Sequence, residues 1–493
     1  MKNALSDTIF SRLESLSQQQ SDVVAIEGDA RHVSYRELRR LVSRWKSLIN
    51  GLNLPQGACI GLRFVDQTEY LICHLALLEL NITQVVIDVQ DPLNIQAQHI
   101  EQLVVDVVIQ DLADAPSSFN CLVANALTLG DMSVTAVKQK PYSAETALLF
   151  LGSGTTSVPK MIALSALEYA ALLRRELNAL NVSLKERYFC YSRVSYTFPR
   201  RKAILCLLQG ATLLLPSKAP MNLIEFINDK CIQHLVLTVD QAQRFLLLPL
   251  QSEGRPCQGY QLPRVKSLQL SSSLIKQSVR ERILECITPN LFISYGTNEV
   301  GIVSLARPDD IKSTPGTVGR ILGGIEVRLL KTSEKSLVGD VLIKTDHMFT
   351  GYVANPAANQ KSFSHSGWYQ PNDLARLTDD GQLIIEGRSD DMMIFTGVNL
   401  YPRPMEEVLE QHDAVAEAAV FPITVGWQEN IPVAMVTLTK QVDEKTLIEH
   451  CDQHLGWRRP QKIFITESLP RNAAGKVLKR TLIDNLESAL KKG

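Results

Sequence analysis

The clearest pattern of apolar and polar positions in the first part of the chain is helical. The stretch SYRELRRLVSRWKSLIN (34–50) places apolar residues three or four positions apart, which is the spacing of one buried helix face. Ser34 and Glu37 have the Ser-x-x-Glu spacing of a capping box. A helix is therefore predicted to begin at this serine.

Strand-like and helix-like patterns then follow each other in turn. Short, continuous apolar runs predict buried strands, and longer runs with helical spacing predict helices. The predicted order is strand 58–64, helix 69–80, strand 83–89, strand 104–111, helix 165–180, strand 211–216, helix 223–230 and strand 234–239. Alternation of this kind favours a layered α/β fold over an all-α or all-β fold.

The pattern changes twice in the second half of the chain. Short β-like runs with glycine breaks between 310 and 345 predict a small β subdomain. Beyond the charged turn GRSDD (387–391), about 100 residues form a compact α/β unit of their own. Its predicted elements are helix 404–412, strands 416–423 and 432–439, helix 443–456 and strand 462–469. We therefore predict a large N-terminal domain, 1–389, and a small C-terminal domain, 390–493.

Length and composition narrow the class of protein. A chain of 493 residues exceeds the ~250–300 residues at which a single core stops growing, which agrees with two domains. The hydrophobic fraction of 45% and the charged fraction of 21% are ordinary for a folded soluble protein. With 51 basic against 52 acidic residues, the chain lacks the basic field that charge-driven nucleic-acid binding requires.

The cysteines and the N-terminal residues indicate a cytoplasmic protein. The nine cysteines are odd in number, widely spaced and without a CxxC pair, which is typical of reduced, buried thiols and disfavours a zinc site. Residues 1–20 carry acids and glutamines where a signal peptide needs an apolar core. The longest apolar run, 203–216, is shorter than the ~20 residues that span a bilayer. We therefore expect neither export nor a membrane span.

The loop SGTTSVPK (153–160) carries the first candidate chemistry. It follows an apolar run and offers small side chains, hydroxyls and backbone N–H groups at one point, and Lys160 adds a positive charge. These features suit a polyphosphate, although the spacing is not that of the GxxxxGK[ST] P-loop. A surface loop without a ligand is the alternative interpretation, because loops of this composition are common.

The same loop resembles the signature of the acyl-adenylating superfamily, which includes acyl-CoA synthetases, luciferases and the adenylation domains of peptide synthetases. Six fixed positions of that signature are kept: Ser153, Gly154, Thr155, Thr156, Pro159 and Lys160. The resemblance implies that these residues, apart from the proline, bind the phosphates of ATP. Gly152, Ser157 and Met161 depart from the signature.

The stretch SYGTNEVG (294–301) resembles a second nucleotide-binding segment of the superfamily. The resemblance implies that Tyr295 lies against adenine, with Gly296 beside it in the nucleotide site. It also implies that Glu299 holds Mg²⁺ between phosphate oxygens, as carboxylates do. Asn298 stands where the superfamily has a phosphate-contacting threonine, and its amide still donates hydrogen bonds.

The stretch GWYQPNDLARLTDDGQLIIEGRSDD (367–391) resembles the ribose-binding segment. The resemblance implies that Asp373 accepts hydrogen bonds from both ribose hydroxyls and that Arg388 approaches the ribose and the phosphate. Pro371-Asn372 replaces the usual Thr-Gly. Considered alone, an aspartate in such a loop is more often a turn residue.

Two C-terminal stretches resemble the superfamily's hinge region (387–409) and its lysine motif (469–482). The resemblance implies that Asp390 is the hinge, that Gly397 lines a tunnel for a thiol-bearing arm, and that Lys476 bridges the acid and the α-phosphate. It also implies that the C-terminal domain is mobile and reorients about the hinge between two half-reactions. Thr396-Gly397 stands where the superfamily has Gly-Gly.

The pocket for the acid is less well defined. Tyr196 precedes Thr197 at a position where members that activate amino acids have an aspartate after an aromatic residue, so an α-amino acid is disfavoured. Ser272 and Ser273 replace a Gly-Gly beside the nucleotide and the acid, which indicates a smaller or more polar acid or only a backbone role. Two arginines that follow, 200 and 201, are predicted to begin a helix rather than to face the pocket.

The resemblance implies that the chain uses ATP and Mg²⁺ to convert a small carboxylic acid to an acyl-AMP, with release of pyrophosphate, and then transfers the acyl group to a thiol. Our first hypothesis is an acid–CoA ligase. A stand-alone enzyme that loads a phosphopantetheinyl carrier protein is the first alternative. A degenerate member that binds nucleotide without turnover is the second.

Overall fold

The computed structural model describes residues 9–490 with several gaps. The gaps are residues 30, 114–115, 117, 120, 126–137, 153–159, 180–181, 248–258, 272–274, 332–335, 364–366, 392, 396–397, 425–429 and 473–474. All structural statements below concern the described residues.

Helices cover both halves of the described chain. In chain order they are α1 (Ser11–Gln19), α2 (Tyr35–Gly51), α3 (Gln67–Leu80), α4 (Leu93–Gln102), α5 (Ala166–Leu177), α6 (Thr197–Leu208), α7 (Leu223–Asp229), α8 (Val239–Ala242), α9 (Gln277–Arg282), α10 (Pro308–Ser313), α11 (Pro356–Ser362), α12 (Pro402–Gln411), α13 (Glu444–Leu455) and α14 (Lys479–Leu490). Short π-helical segments extend α8 and α9, at Gln243–Leu247 and Ile283–Ile287, and 3₁₀ turns occupy Ser389–Asp391 and Gly456–Arg458.

Strands separate most of these helices. They are β1 (Val24–Gly28), β2 (His32–Ser34), β3 (Cys59–Arg63), β4 (Thr83–Val86), β5 (Val107–Gln110), β6 (Leu122–Asn125), β7 (Thr146–Gly152), β8 (Lys160–Ser165), β9 (Arg187–Cys190), β10 (Thr212–Leu215), β11 (His234–Thr238), β12 (Ser267–Ser271), β13 (Leu291–Thr297), β14 (Gly301–Ala306), β15 (Thr317–Ile321), β16 (Ile325–Lys331), β17 (Gly339–Thr345), β18 (Asp373–Leu377), β19 (Gln382–Arg388), β20 (Met393–Phe395), β21 (Val398–Leu400), β22 (Val415–Thr424), β23 (Asn430–Leu438) and β24 (Lys462–Ile465).

The largest sheet has the strand order β16-β17-β18-β19-β15-β14-β13-β12-β11-β9-β10-β1-β2. Its middle strands, β1 and β9 to β13, are parallel to their neighbours within that group. The strands from β14 to β19 continue the sheet in antiparallel pairs, and they contain the region predicted as a small β subdomain. The parallel strands are buried almost throughout, which explains their continuous apolar runs.

A second sheet has the order β6-β5-β3-β4-β7-β8 and is parallel except at its edge. The edge strand β8 runs antiparallel to β7, and this pairing ends at the opposed residues Gly152 and Lys160. The connection between these two residues is the loop 153–159, whose ends are thus fixed by strand pairing.

The C-terminal residues build a separate core. A three-stranded sheet, β22-β23-β24, has α12, α13 and α14 around it, and β20 pairs with β21 in a hairpin. Two clusters of buried apolar residues contain only residues from Met393 onward. This separation supports a domain boundary near residue 390, and the division into 1–389 and 390–493 stays a prediction.

Element positions predicted from the pattern agree with the structure, with ends that shift by a few residues. The helix predicted at 34–50 is α2, and its Ser34 side chain accepts a hydrogen bond from the Glu37 backbone N–H at 3.2 Å. Only one half of the capping box forms. The Glu37 carboxylate lies 3.6 Å from the Arg40 guanidinium and does not bind the backbone N–H of Ser34. No described helix is long and apolar enough to cross a membrane.

The prediction of reduced cysteines holds for part of the chain. Seven described cysteines are free thiols, and most of them are buried. Cys286 is disulfide-bonded, so the prediction is wrong at that position. Linear spacing could not predict this bond, because it depends on which thiols the fold brings together.

Tyr35 gives a test of the packing between α2 and α6. Its hydroxyl is buried and lies 2.9 Å and 2.8 Å from the carbonyl oxygens of Leu207 and Ala211. Because Tyr35→Phe leaves these acceptors without that donor, it should lower the free energy of unfolding by about 1 kcal/mol in urea titrations. Tyr260→Phe, which alters a tyrosine that is 44% exposed, is the control and should have no effect. Equal stability of the two variants would contradict this account.

Candidate nucleotide site

The candidate residues of the large sheet lie at one edge. Since β9, β11, β12 and β13 are neighbouring parallel strands, their carboxyl ends meet there. Tyr196 lies in the segment that follows β9, and Tyr295 and Gly296 lie at the end of β13. Ligands in open α/β sheets bind at the carboxyl ends of the strands, so this edge is the natural place for a substrate.

Asp373, Tyr295 and Arg388 form one polar group. Asp373 and Arg388 stand opposite each other where β18 pairs with β19, and the guanidinium Nη1 lies 3.4 Å from Oδ1 of the carboxylate. The Tyr295 hydroxyl donates to the other oxygen, Oδ2, at 2.6 Å. Burial, and then the Asp373 carboxylate, raises the pKa of Tyr295 well above its usual value. The phenol therefore stays a neutral donor that holds the carboxylate in place.

The residue before Asp373 has a special backbone conformation. Asn372, which replaces a glycine of the superfamily pattern, has a left-handed φ of 64°. Asparagine tolerates this region better than most residues, so the departure keeps the turn. The carbonyl of Asn372 accepts a hydrogen bond from the Ser389 backbone N–H at 2.8 Å, which ties the start of β18 to the residue after β19.

Glu299 lies in the tight turn that joins β13 to β14. At Gly296 a Cβ atom would lie 2.2 Å from the carbonyl oxygen of Gly301, so the close pairing of these strands requires a glycine there. The Glu299 Oε1 atom accepts a hydrogen bond from the Tyr352 hydroxyl at 2.8 Å. Within the described part of the chain, no residue binds its second carboxylate oxygen. A partly buried carboxylate with an available oxygen fits Mg²⁺, which prefers oxygen ligands.

Lys160 reaches the same tyrosine from the second sheet. It is the first residue of β8, and its Nζ atom lies 4.6 Å from the centre of the Tyr352 ring, which is within cation–π range. A bridge between Ile162 and Tyr352 joins the tyrosine to β8, and a 2.9 Å hydrogen bond from the Val353 N–H to the Met161 carbonyl oxygen supports it. Tyr352 thus stands between a cation of one sheet and a carboxylate of the other.

Lys476 lies on a turn that meets the same edge of the large sheet. Its backbone N–H donates to the Asn472 side chain at 3.0 Å, and Arg471 pairs with Val477 across the turn. A Cβ atom at Gly475 would lie 3.0 Å from Cβ of Asp240, which is in α8 directly after β11. The Lys476 side chain is exposed beside this contact.

Tyr196 lies at the N-terminus of α6 and faces the segment after β4. Its hydroxyl donates to Gln90 Oε1 at 3.1 Å. Burial, and then the nearby Asp88 carboxylate, raises its pKa to about 12. The space beside it, lined by apolar residues of the second sheet and by Asp88, Arg193 and Ser195, is too small to admit a water molecule.

Other predicted positions give mixed results. The prediction that Arg200 and Arg201 belong to a helix is confirmed, and both are buried in α6. Asp390 lies in the 3₁₀ turn directly after β19. Several candidates lie outside the described residues: Ser153, Gly154, Thr155, Thr156, Ser272, Ser273 and Gly397. Asn298 is partly buried in the Glu299 turn.

Sequence reasoning missed Tyr352, Tyr369 and Asp240. Tyr352 lies in GYVANP (351–356), where a tyrosine after glycine precedes an Asn-Pro helix start, but nothing in that pattern points to a nucleotide. Its hydroxyl lies 3.4 Å from the Tyr369 hydroxyl. Burial, and then the Glu299 charge, raises the pKa values of both phenols, so both remain neutral.

Comparison with known proteins identifies the family. The model of the AMP-binding enzyme family matches residues 13–353, and that of the AMP-binding enzyme C-terminal domain matches residues 404–476. The chain belongs to the AMP-binding enzyme family. The acyl-adenylating superfamily predicted from its motifs is thereby confirmed, and both halves of the chain carry the match.

Individual relatives of this AMP-binding enzyme have low sequence identity to it, but their alignments cover two thirds of the chain or more. The 4-chlorobenzoate–CoA ligase of Arthrobacter sp. is 25% identical over 96% of this chain and 94% of that protein. A substituted propanoyl:CoA ligase of Rhodococcus jostii is 26% identical over 67% of this chain, and the alignment spans 63% of that protein. The structure of o-succinylbenzoate coenzyme A synthetase from Bacillus subtilis, in complex with ATP and magnesium ion, superposes with a TM-score of 0.81. That superposition covers 96% of this chain and 98% of that chain at 20% identity, and it shows the fold.

The protonation of Tyr295 can be tested by alkaline titration. Its folded pKa is raised, so its contribution to stability is present below pH ~10, where the unfolded phenol is protonated too, and falls at higher pH. At about pH 11 an exposed tyrosine is largely ionised, but Tyr295 should stay neutral. Tyr295→Phe should therefore leave the phenolate absorbance at that pH unchanged. A decrease of one tyrosine equivalent in that variant would show that Tyr295 ionises normally.

Proposed function

We propose that this AMP-binding enzyme is an acid–thiol ligase that activates a carboxylic acid with ATP and transfers the acyl group to CoA. The observation that carries the proposal is the convergence of Lys160, Glu299 and the Asp373 group at the carboxyl edge of the large sheet, next to the Lys476 turn. The related proteins are named CoA ligases, which supports CoA as the acceptor.

The sugar of the nucleotide is held by the polar group at β18 and β19. Asp373 accepts hydrogen bonds from the ribose hydroxyls, because an ionised carboxylate can accept several hydrogen bonds at once. The Tyr295 hydroxyl fixes the carboxylate, and its ring lies where adenine packs. Gly296 leaves room at the end of β13, and Arg388 supplies positive charge beside the ribose and phosphate.

The phosphates lie between the two sheets. Lys160, with the Ser153–Thr156 loop and Asn298, binds the phosphate oxygens, and Glu299 holds Mg²⁺. Ser272, which directly follows β12 in the sequence, contributes to the same nucleotide site. When bound, Mg²⁺ draws electron density from the phosphate oxygens and favours loss of pyrophosphate. Tyr352 keeps Glu299 oriented toward these phosphates.

In the first half-reaction, a carboxylate oxygen of the acid attacks the α-phosphorus, and the bond to pyrophosphate breaks. Two anions must approach each other, so positive charge is needed where they meet. Lys476 supplies it by binding both the carboxylate and an α-phosphate oxygen. The acid itself lies near Tyr196 and Ser273.

In the second half-reaction, the thiolate of CoA attacks the acyl carbon and AMP leaves with the bonding electrons. The C-terminal domain, residues 390–493, turns about Asp390, which brings Gly397 to the tunnel for the thiol arm. The 3₁₀ turn at Ser389–Asp391, between the two cores, supports this hinge position. We place the enzyme in the cytoplasm, which the seven free cysteines favour and the disulfide-bonded Cys286 does not.

Exchange of radioactive pyrophosphate into ATP over a panel of carboxylic acids tests the first half-reaction. Lys476→Ala should lower this exchange by orders of magnitude, while transfer of the acyl group from supplied acyl-AMP to CoA should largely survive. Lys440→Ala, which alters an exposed lysine of the same domain, is the control. Equal loss of both half-reactions would contradict the role of Lys476.

The same assay separates the remaining alternatives. Tight ATP binding without exchange for any acid would favour a nucleotide binder without turnover. Exchange followed by thioester formation on a holo carrier protein but not on CoA would favour the carrier-loading enzyme. Thioester formation on free CoA is the outcome that we expect.

Asp373→Asn tests the ribose contact. Loss of a charged hydrogen-bond acceptor should weaken AMP binding by about 10-fold or more in calorimetry. Asp379→Asn, which alters an exposed aspartate in the β18–β19 turn, should bind AMP like the wild type. Unchanged affinity of the Asp373 variant, with the fold intact by circular dichroism, would remove Asp373 from the site.

A further inference from the structure

The turn that carries Glu299 is held from behind by the C-terminal end of α5. Arg175 Nη2 donates to the carbonyl oxygen of Val300 at 3.3 Å. Glu176 Oε1 accepts a hydrogen bond from the Ile302 backbone N–H at 3.2 Å. Two adjacent side chains of opposite charge thus bind the backbone on both sides of Gly301, directly after the metal-binding residue.

Glu176 is itself fixed by two buried cations of α6. Its side chain is 1% exposed, Arg201 Nε lies 2.9 Å from Oε1, and Lys202 Nζ lies 3.4 Å from Oε2. Burial alone would raise the pKa of Glu176, but Arg201 and Lys202 hold it below the usual value. The carboxylate is therefore ionised and locked, which is what a fixed acceptor for the turn requires.

The position of α5 joins this anchor to the phosphate loop. The helix begins at Ala166, immediately after β8, and its start is fixed by a capping box between Ser165 and Glu168. Lys160 opens the same strand, so one rigid strand and helix carry the phosphate-binding lysine at one end and the Glu299 anchor at the other. Arg175 also donates to the carbonyl oxygen of Asp346 at 3.1 Å, which fixes its guanidinium further.

We propose that Arg175 and Glu176 are positioning residues that set the place of Glu299 and thereby the affinity for Mg²⁺ with the nucleotide. Glu299 directly precedes Val300, so a shift of that carbonyl moves the metal-binding carboxylate. Tyr352 fixes the carboxylate end of the residue, and α5 fixes its backbone end. This inference rests on the proposed function for Glu299, because it concerns how tightly that residue binds the metal.

The test compares Arg175→Leu and Glu176→Gln with the control Arg174→Leu. Arg174 is the exposed neighbour on the same helix, and its described hydrogen bond is to Ala170 within that helix. The Mg²⁺ concentration that half-saturates pyrophosphate exchange should rise about 10-fold in the two variants, which is typical for loss of a residue that orients a metal ligand. Transfer from supplied acyl-AMP to CoA involves no triphosphate, so it should stay unchanged.

A second measurement does not depend on turnover. The rise in thermal midpoint caused by Mg²⁺ with a non-hydrolysable ATP analogue should shrink in both variants and stay full in Arg174→Leu. An unchanged Mg²⁺ requirement, or equal loss in the two half-reactions, would overturn the proposal. If Glu176→Gln does not fold because Arg201 and Lys202 lose their partner, the variant Arg175→Leu, at a partly buried position, decides.

The two proposals can fail separately. Absence of pyrophosphate exchange in the wild type, with every acid, would refute the proposed function. The thermal midpoints with Mg²⁺ and the ATP analogue would then still decide whether Arg175 and Glu176 position the metal site. If Mg²⁺ with the ATP analogue raises the thermal midpoint of every variant as much as that of the wild type, only the positioning role is refuted.

Discussion

Tyr352 is the residue on which the candidate site depends most directly. Its ring lies under the Lys160 ammonium of one sheet, and its hydroxyl binds the Glu299 carboxylate of the other. The neutral phenol thus contacts a cation and a carboxylate at once and links the two sheets at the candidate site.

Around this contact the two sheets contribute different functions. The second sheet ends in β8 and supplies the cation and the ends of the phosphate loop, while the large sheet supplies the metal-binding turn and the ribose group. The C-terminal turn adds its lysine from outside, through the contact of Gly475 with Asp240. The two sheets share one cluster of buried apolar residues, whereas the C-terminal residues have clusters of their own. The site therefore forms where two packed sheets and a separately packed C-terminal unit meet.

Much of this arrangement could be predicted from the sequence, because local patterns determine it. The helix α2 and the strand β11 follow from apolar spacing, and Lys160, Glu299 and Asp373 follow from short motifs in order. Tyr352 and Glu176 could not be found in that way, since their partners lie 53 and 126 residues away in sequence and belong to other elements. Their roles depend on contacts between separate elements, and these contacts cannot be predicted from the spacing of residues in the sequence.

The pairing of Gly152 with Lys160 has a consequence for how this family member can vary. Side chains alternate between the two faces of a strand, so slipping β8 by one residue against β7 would turn the lysine away from Tyr352. Substitutions between the two paired residues leave that register intact, and this is where the chain departs from the superfamily signature at Ser157. Insertions or deletions that shift β8 by one residue would place the Lys160 side chain on the opposite face of the sheet.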